Sequence, residues 1–233
     1  MSSLNFIGGE KGGVGKSVVA RLLAQYFIDQ DKAFVGFDTD RSHNSFTRFY
    51  SDYAAPVLVD SFEGLDQLVG VFEDAPAGER PRVIVDLAAQ TAAPLARWIK
   101  DSDLIALLSD MGIGVNFWHV ADVGKDSVDL LERLLDTYGP SVNYVIVKNL
   151  GRGSDFSQLE ESSAMAKALN TGARVVTLAQ LHEASMRKID RQNASFWAAI
   201  NNQSDVDSLG MLERQRVKNW LKKSYESFDQ LPI

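Results

Sequence analysis

Short, continuously apolar runs alternate along this chain with longer stretches in which apolar residues return every third or fourth position. The runs fall at 4–7, 33–37, 82–87, 104–108, 143–147 and 174–178, with a weaker one at 56–59. An apolar run without alternation marks a strand covered on both faces, the condition of a parallel sheet. The stretches between them predict helices over 17–30, 63–73, 94–100, 115–138, 157–169, 181–201 and 209–228. Together they predict an α/β fold of three layers, a mostly parallel twisted sheet with helices on both faces. The best local break, Asn201-Asn202-Gln203-Ser204-Asp205, separates only the last helix, so residues 1–233 are expected to form one domain. Ligand chemistry in such a sheet belongs at the carboxyl ends of the strands.

Gly8-Gly9-Glu10-Lys11-Gly12-Gly13-Val14-Gly15-Lys16-Ser17 lies at the first such end, directly before a helical pattern. A glycine-rich turn between strand and helix lets backbone N–H groups converge on a phosphate chain, and the helix N-terminus adds positive potential. Gly12, Gly13, Val14, Gly15, Lys16, Ser17 and Val18 are the expected cradle, with Lys16 on the β- and γ-phosphates and the Ser17 hydroxyl on Mg²⁺. The ordinary expression GxxxxGK[ST] fails, because Glu10 stands where it asks for glycine; KGGxGK[ST] fits instead. One lysine suffices for a loop's own phosphates, so Lys11 points to solvent or serves phosphates from another direction.

Two further strand ends carry carboxylates. Asp38 and Asp40 sit at i and i+2 on an extended segment and point the same way. They either hold Mg²⁺ and orient an attacking water or cap the following turn, and residue type alone weights the two readings equally. Asp86 ends the run Arg82-Val83-Ile84-Val85, which favours a water-mediated metal role over a turn cap.

KGGVGKS resembles the deviant Walker A loop of the ParA/MinD family of dimerising P-loop ATPases. The resemblance covers the loop, both carboxylate strands and the βα order, roughly the first 150 residues. It implies an ATP-sandwich homodimer in which Lys11 crosses onto the partner's ATP. It also implies metal ligation by Ser17, Asp38 and Asp86, catalysis by Lys11, Lys16 and an Asp40-positioned water, and adenine recognition by Asn149. For Asn149 a turn before Gly151 and Gly153 explains the residue equally well. The family's partition members usually follow the second aspartate with proline and glutamine, whereas this chain has Arg41-Ser42-His43-Asn44. His43 is read as an exposed loop histidine rather than a proton acceptor, and Gln90 as part of a second switch. The implied output is spatial: partition, mobilisation or positioning of DNA or a cargo, through a protein partner or cargo adaptor. A carboxylate-activating enzyme of the cobyrinate or dethiobiotin synthase type is the alternative.

Composition narrows this picture. With 233 residues, 45% hydrophobic, the chain is ample for one such domain and short for two. It has no apolar run of membrane-spanning length and no basic–apolar–small secretion pattern at its start. The absence of cysteine fits a cytoplasm and removes the iron–sulfur chemistry of some relatives. A net charge of −7 disfavours a nucleic-acid coat, leaving DNA as a local contact and a membrane surface as the lesser prospect. The candidate partner element is the last helix, about 206–229, where Leu209, Leu212, Val217, Trp220, Leu221 and Phe228 form a broken apolar face beside Arg214, Arg216, Lys218, Lys222 and Lys223. Packing on the sheet is favoured over binding DNA or membrane. Trp98, Trp118 and Trp197 are expected in the core or an interface.

Overall fold

A computed structural model describes the chain except for Met1, Gly9, Asp74, Ala77 and residues 204–207. Among the described residues, β1 (Ser3–Gly8), β2 (Phe34–Asp38), β3 (Ala54–Pro56), β4 (Arg82–Asp86), β5 (Gly114–Ala121), β6 (Asn143–Asn149) and β7 (Arg174–Leu178) make one sheet. Its order is β3-β2-β4-β1-β5-β6-β7, and every neighbouring pair is parallel. The central strand β1 therefore has β4 on one side and β5 on the other, and the register sets Asp38 opposite Asp86 and Ile7 opposite Asp86. Three candidate site segments are brought to one edge by this topology alone.

One face of the sheet is covered by α1 (Lys16–Asp29), α8 (Glu183–Gln192), α9 (Phe196–Asn201) and α10 (Met211–Phe228). The other is covered by α2 (Phe62–Gly70), α3 (Ala92–Asp101), α4 (Leu104–Asp110), α5 (Lys125–Tyr138), α6 (Ser157–Glu160) and α7 (Ser163–Asn170). The expected three layers are present. A buried polar ladder crosses the sheet inside this apolar frame: Asn5 Nδ2 donates to the Val83 carbonyl, while Asn5 Oδ1 accepts from Asn116 at 2.9 Å and from the Trp118 indole at 3.2 Å. Asn143 continues it by donating to Asn116.

Two expected elements exchange places. Residues 104–108, read as a strand, are the helix α4: Leu104 and Leu108, one helical turn apart, are buried, while Leu107 is 52% exposed. The strand lies instead within 115–138, where Val115 to Ala121 are all buried beside β1. A central strand covered on both faces has no periodicity of its own, so its apolar residues merge with those of the helix that follows. Gly124, in extended conformation, separates β5 from α5.

The expected helix over 157–169 is split where Ser162 caps α7, and that over 181–201 where Asn193 (φ 50°) ends α8 and Ser195 caps α9. The weak strand expected at 56–59 sits earlier, as β3. The apolar face of α10 packs on the sheet through Val217, Trp220, Leu221 and Phe228, with Leu209 buried ahead of it; Leu212 is 63% exposed. Trp98 and Trp118 are fully buried, but Trp197 is 56% exposed. The expected break at 201–205 falls partly outside the described residues.

Candidate functional site

The loop between β1 and α1 needs backbone that only glycine adopts without strain. Gly13 has φ 78° and Gly15 φ 102°, both left-handed. Gly15 also makes room: a Cβ there would lie 2.4 Å from Asn149 Nδ2. No atom lies within 4 Å of a Cβ on Gly12 or Gly13, so that stretch of backbone is open to a ligand. Val14 is buried and anchors the loop, its carbonyl accepting from Asn149 Nδ2 at 2.7 Å. Asn149 Oδ1 in turn accepts from the Gly151 N–H, so this side chain ties the loop to the end of β6.

The two lysines diverge. Lys16 opens α1, is 8% exposed, and curls back to donate to the Lys11 carbonyl at 2.9 Å. Burial lowers its pKa, opposed by the charges of Asp86 and Asp40. Lys11 points outward to Asp126, in the first turn of α5, at 3.4 Å and to Asp122, in the turn joining β5 to α5, at 2.9 Å. That turn is a built receptor. The Ser127 hydroxyl and the Gly124 N–H both donate to Asp122 Oδ1, and a Cβ on Gly124 would meet Lys11 Nζ at 2.8 Å. Hydrogen bonding to Asp122 raises the Lys11 pKa. Burial pulls Asp122 upward but is outweighed by the hydrogen bonds from Lys11, Ser127 and Gly124, which hold it below the usual carboxylate range.

The carboxylates differ in what they already hold. Asp38 is spent on backbone: its Oδ2 accepts from Phe46 N–H at 2.8 Å and Thr47 N–H at 3.0 Å, and its Oδ1 from Asp40 N–H. Asp40 Oδ1 caps the next turn through the Ser42 and His43 N–H groups, and the His43 ring lies 3.2 Å from Oδ2. Burial raises the Asp40 pKa, and these hydrogen bonds from Ser42 and His43 bring it below normal. His43 is exposed, as expected.

Asp86 stands apart. Both of its oxygens are buried without a hydrogen-bond partner, and burial pushes its pKa up to about 7, opposed by Ser17 and Lys16 and reinforced by Asp38 and Asp40. An orphaned buried carboxylate beside a hydroxyl is a donor set that fits a hard cation. Among the described residues no three carboxylate or imidazole side chains converge, so a cation here depends on Ser17, Asp86 and a ligand's own phosphates.

Some of the machinery escaped sequence reasoning. Thr39 joins two strand ends, its hydroxyl donating to the Asp86 carbonyl and accepting from the Ala88 N–H at 2.7 Å. Asp122 and Asp126 were hidden inside an expected helix; the turn composition Asp122-Val123-Gly124 was the signal that could have exposed them. A cavity of about 180 Å³ at the other end of the loop is lined by Gly15, Val18, Asn149, Met186 and Trp220, residues from four separate segments. Trp220 is fixed there by its indole N–H, which donates to the Ala179 carbonyl at 2.6 Å. Gln90 lies exposed in a turn with φ 67°.

Comparison with known proteins agrees with this geometry. Residues 6–224 match the model of the CobQ/CobB/MinD/ParA nucleotide binding domain. Protein TraL of Escherichia coli is 22% identical over the whole of both chains. Protein MobD of Acidithiobacillus ferrooxidans is 25% identical over 96% of each. Among solved structures, the MinD cell division protein of Aquifex aeolicus superposes with a TM-score of 0.56 at 11% identity, covering 100% of this chain and 99% of that one, a likeness of fold.

Proposed function

This chain belongs to the CobQ/CobB/MinD/ParA nucleotide-binding family, and from that premise we propose that it is a Mg²⁺-dependent ATPase whose ATP-bound form is a sandwich dimer. The dimer acts as a nucleotide-controlled switch in the partition, mobilisation or positioning of DNA or another cargo, and the whole chain works as one ATPase unit. The observation that carries the reading is the divergence of two lysines from one loop, Lys16 inward toward Asp86 and Lys11 outward onto Asp122 and Asp126. A nucleotide on the loop replaces the Lys11 carbonyl as the partner of Lys16. Lys11 stays on its own subunit's carboxylates until a second triphosphate competes for it, and a partner subunit brings one.

Ser17 and Asp86 would hold Mg²⁺, which supplies charge neutralisation at the β- and γ-phosphates. Asp38 supports that site by fixing the backbone of residues 46 and 47. Asp40 orients the attacking water once the turn it caps has opened, and its present engagement with Ser42 and His43 fits slow, partner-stimulated turnover. Asn149 contacts the adenine from the cavity beside Gly15 and Val18. Hydrolysis returns Lys11 to Asp122 and dissolves the dimer. A carboxylate-activating enzyme needs a polar substrate pocket beside the γ-phosphate. Such an enzyme has no need of a second loop lysine turned away from its own phosphates, so the placing of Lys11 on Asp122 and Asp126 favours the switch.

Two substitutions test the reading. Lys16→Ala should lose ATP binding altogether, because the desolvated cation has no substitute. Lys11→Ala should keep ATP binding by the monomer and lose ATP-dependent dimerisation. An Lys11→Ala protein that still dimerises with ATP would remove the crossing lysine from the account.

A further inference from the structure

The cleft between α3 and α5 is unused by the nucleotide chemistry. It encloses about 280 Å³ against β1 and β5, close to the lower bound of small-molecule sites. Its walls include Leu95, Phe117, Leu130 and Leu134, and Ala96 on α3 keeps it open.

Two polar groups break the apolar lining. His119 is 2% exposed, and its Nε2 lies 2.8 Å from the Ser127 carbonyl, which can only accept; Nε2 therefore carries the proton and Nδ1 is a bare acceptor. Nδ1 has no partner among the described residues, although His119 lines the cleft. Burial lowers the pKa of this ring to about 4, so it stays neutral and keeps that acceptor at physiological pH. Arg133 lines the cleft from α5, is exposed, and has no ion pair among the described residues. Ser127, which holds the His119 ring, and Arg133 are nearly two helical turns apart, about 9 Å along α5. Glu10, from the phosphate loop, lines the cleft as well and would repel an anion placed beside it.

We propose that this cleft binds a small amphipathic anion: an apolar chain or ring with its carboxylate on Arg133 and a hydroxyl or amide N–H donating to His119 Nδ1. The volume of about 280 Å³ suits a saturated chain of medium length. A donor that reaches this acceptor replaces only the solvent held between apolar walls, which adds a modest preference for a molecule carrying one. Arg133 at the mouth fixes the direction in which the molecule enters.

The test uses the full chain without nucleotide, so that it stands apart from the ATPase reading. Calorimetric titration with 8-hydroxyoctanoate should show saturable binding of one molecule per chain. Octanoate, lacking the donor, should bind roughly fivefold more weakly, and octylammonium should give no saturable heat. Arg133→Glu and Ala96→Phe should each weaken 8-hydroxyoctanoate about tenfold or more, with circular dichroism confirming the fold. Saturable binding that ignores both substitutions, or equal affinity for the cation, would place the ligand elsewhere and overturn the proposal. Equal affinity for octanoate would remove His119 from it, and no saturable heat with either acid would remove the site.

Discussion

At His119 the protein decides a charge by enclosure alone. Burial lowers its pKa from 6.5 to about 4, with the Ser127 carbonyl and Asp122 opposing. The folded value lies below the unfolded one, so the stabilising neutral form is fully present above pH 6.5 and is lost as pH falls toward 4. Between pH 7 and 5 this one ring should remove about 2 kcal/mol of stability. Urea unfolding at both values checks it: His119→Phe should show a slope smaller by that amount, and an unchanged slope would assign the acid sensitivity to other groups. The residues most readable from sequence were those whose geometry admits one solution. Gly13 and Gly15 occupy left-handed backbone, and Asp86 ends a strand. The present engagements of Asp38 and Asp40 were not readable, since a carboxylate that caps a turn and one that orients water look alike in sequence. The turn alternative weighed for them describes the hydrogen bonds they make here, without deciding what they do when nucleotide is bound.

Among the elements, β5 carries the largest surprise and two predictions. Its central position erased the alternation that would have announced it, and α4 borrowed the appearance of a strand because its apolar run is short. The ladder from Asn5 through Asn116 to Asn143 ties β5 to its neighbours. Asn5→Val should cost roughly 2–4 kcal/mol by chemical denaturation, since it strands buried donors on Asn116 and Trp118. A loss under about 1 kcal/mol would mean that those donors find other partners. The turn after β5 makes the second prediction. Asp122→Asn combined with Asp126→Asn releases Lys11 from its own subunit, so the ATP concentration for half-maximal dimerisation should fall roughly two- to fivefold. A higher requirement would show that these carboxylates assist the dimer instead of restraining it.

On the scale of the whole molecule, alternation of strands and helices implies a parallel sheet whatever its strand order, which is why the fold class was legible while individual strands were not. The cavity beside Gly15 was illegible for the opposite reason. Loop, β6, α8 and α10 meet there only after the chain has folded, and no local spacing records the meeting. Trp220 ties the last helix to that region, and the helix's apolar face is internal apart from the exposed Leu212. Among the described residues no helix is long and apolar enough to cross a membrane. The central claim is that ATP turns this chain from monomer to dimer through Lys11. It is tested most directly by the solution mass of Asp40→Ala, measured by light scattering with and without Mg²⁺-ATP, a substitution chosen to trap the bound state. The account predicts a doubling of mass that requires ATP and disappears when Lys11→Ala is added. A mass that ignores ATP, in a protein shown separately to bind it, would contradict it.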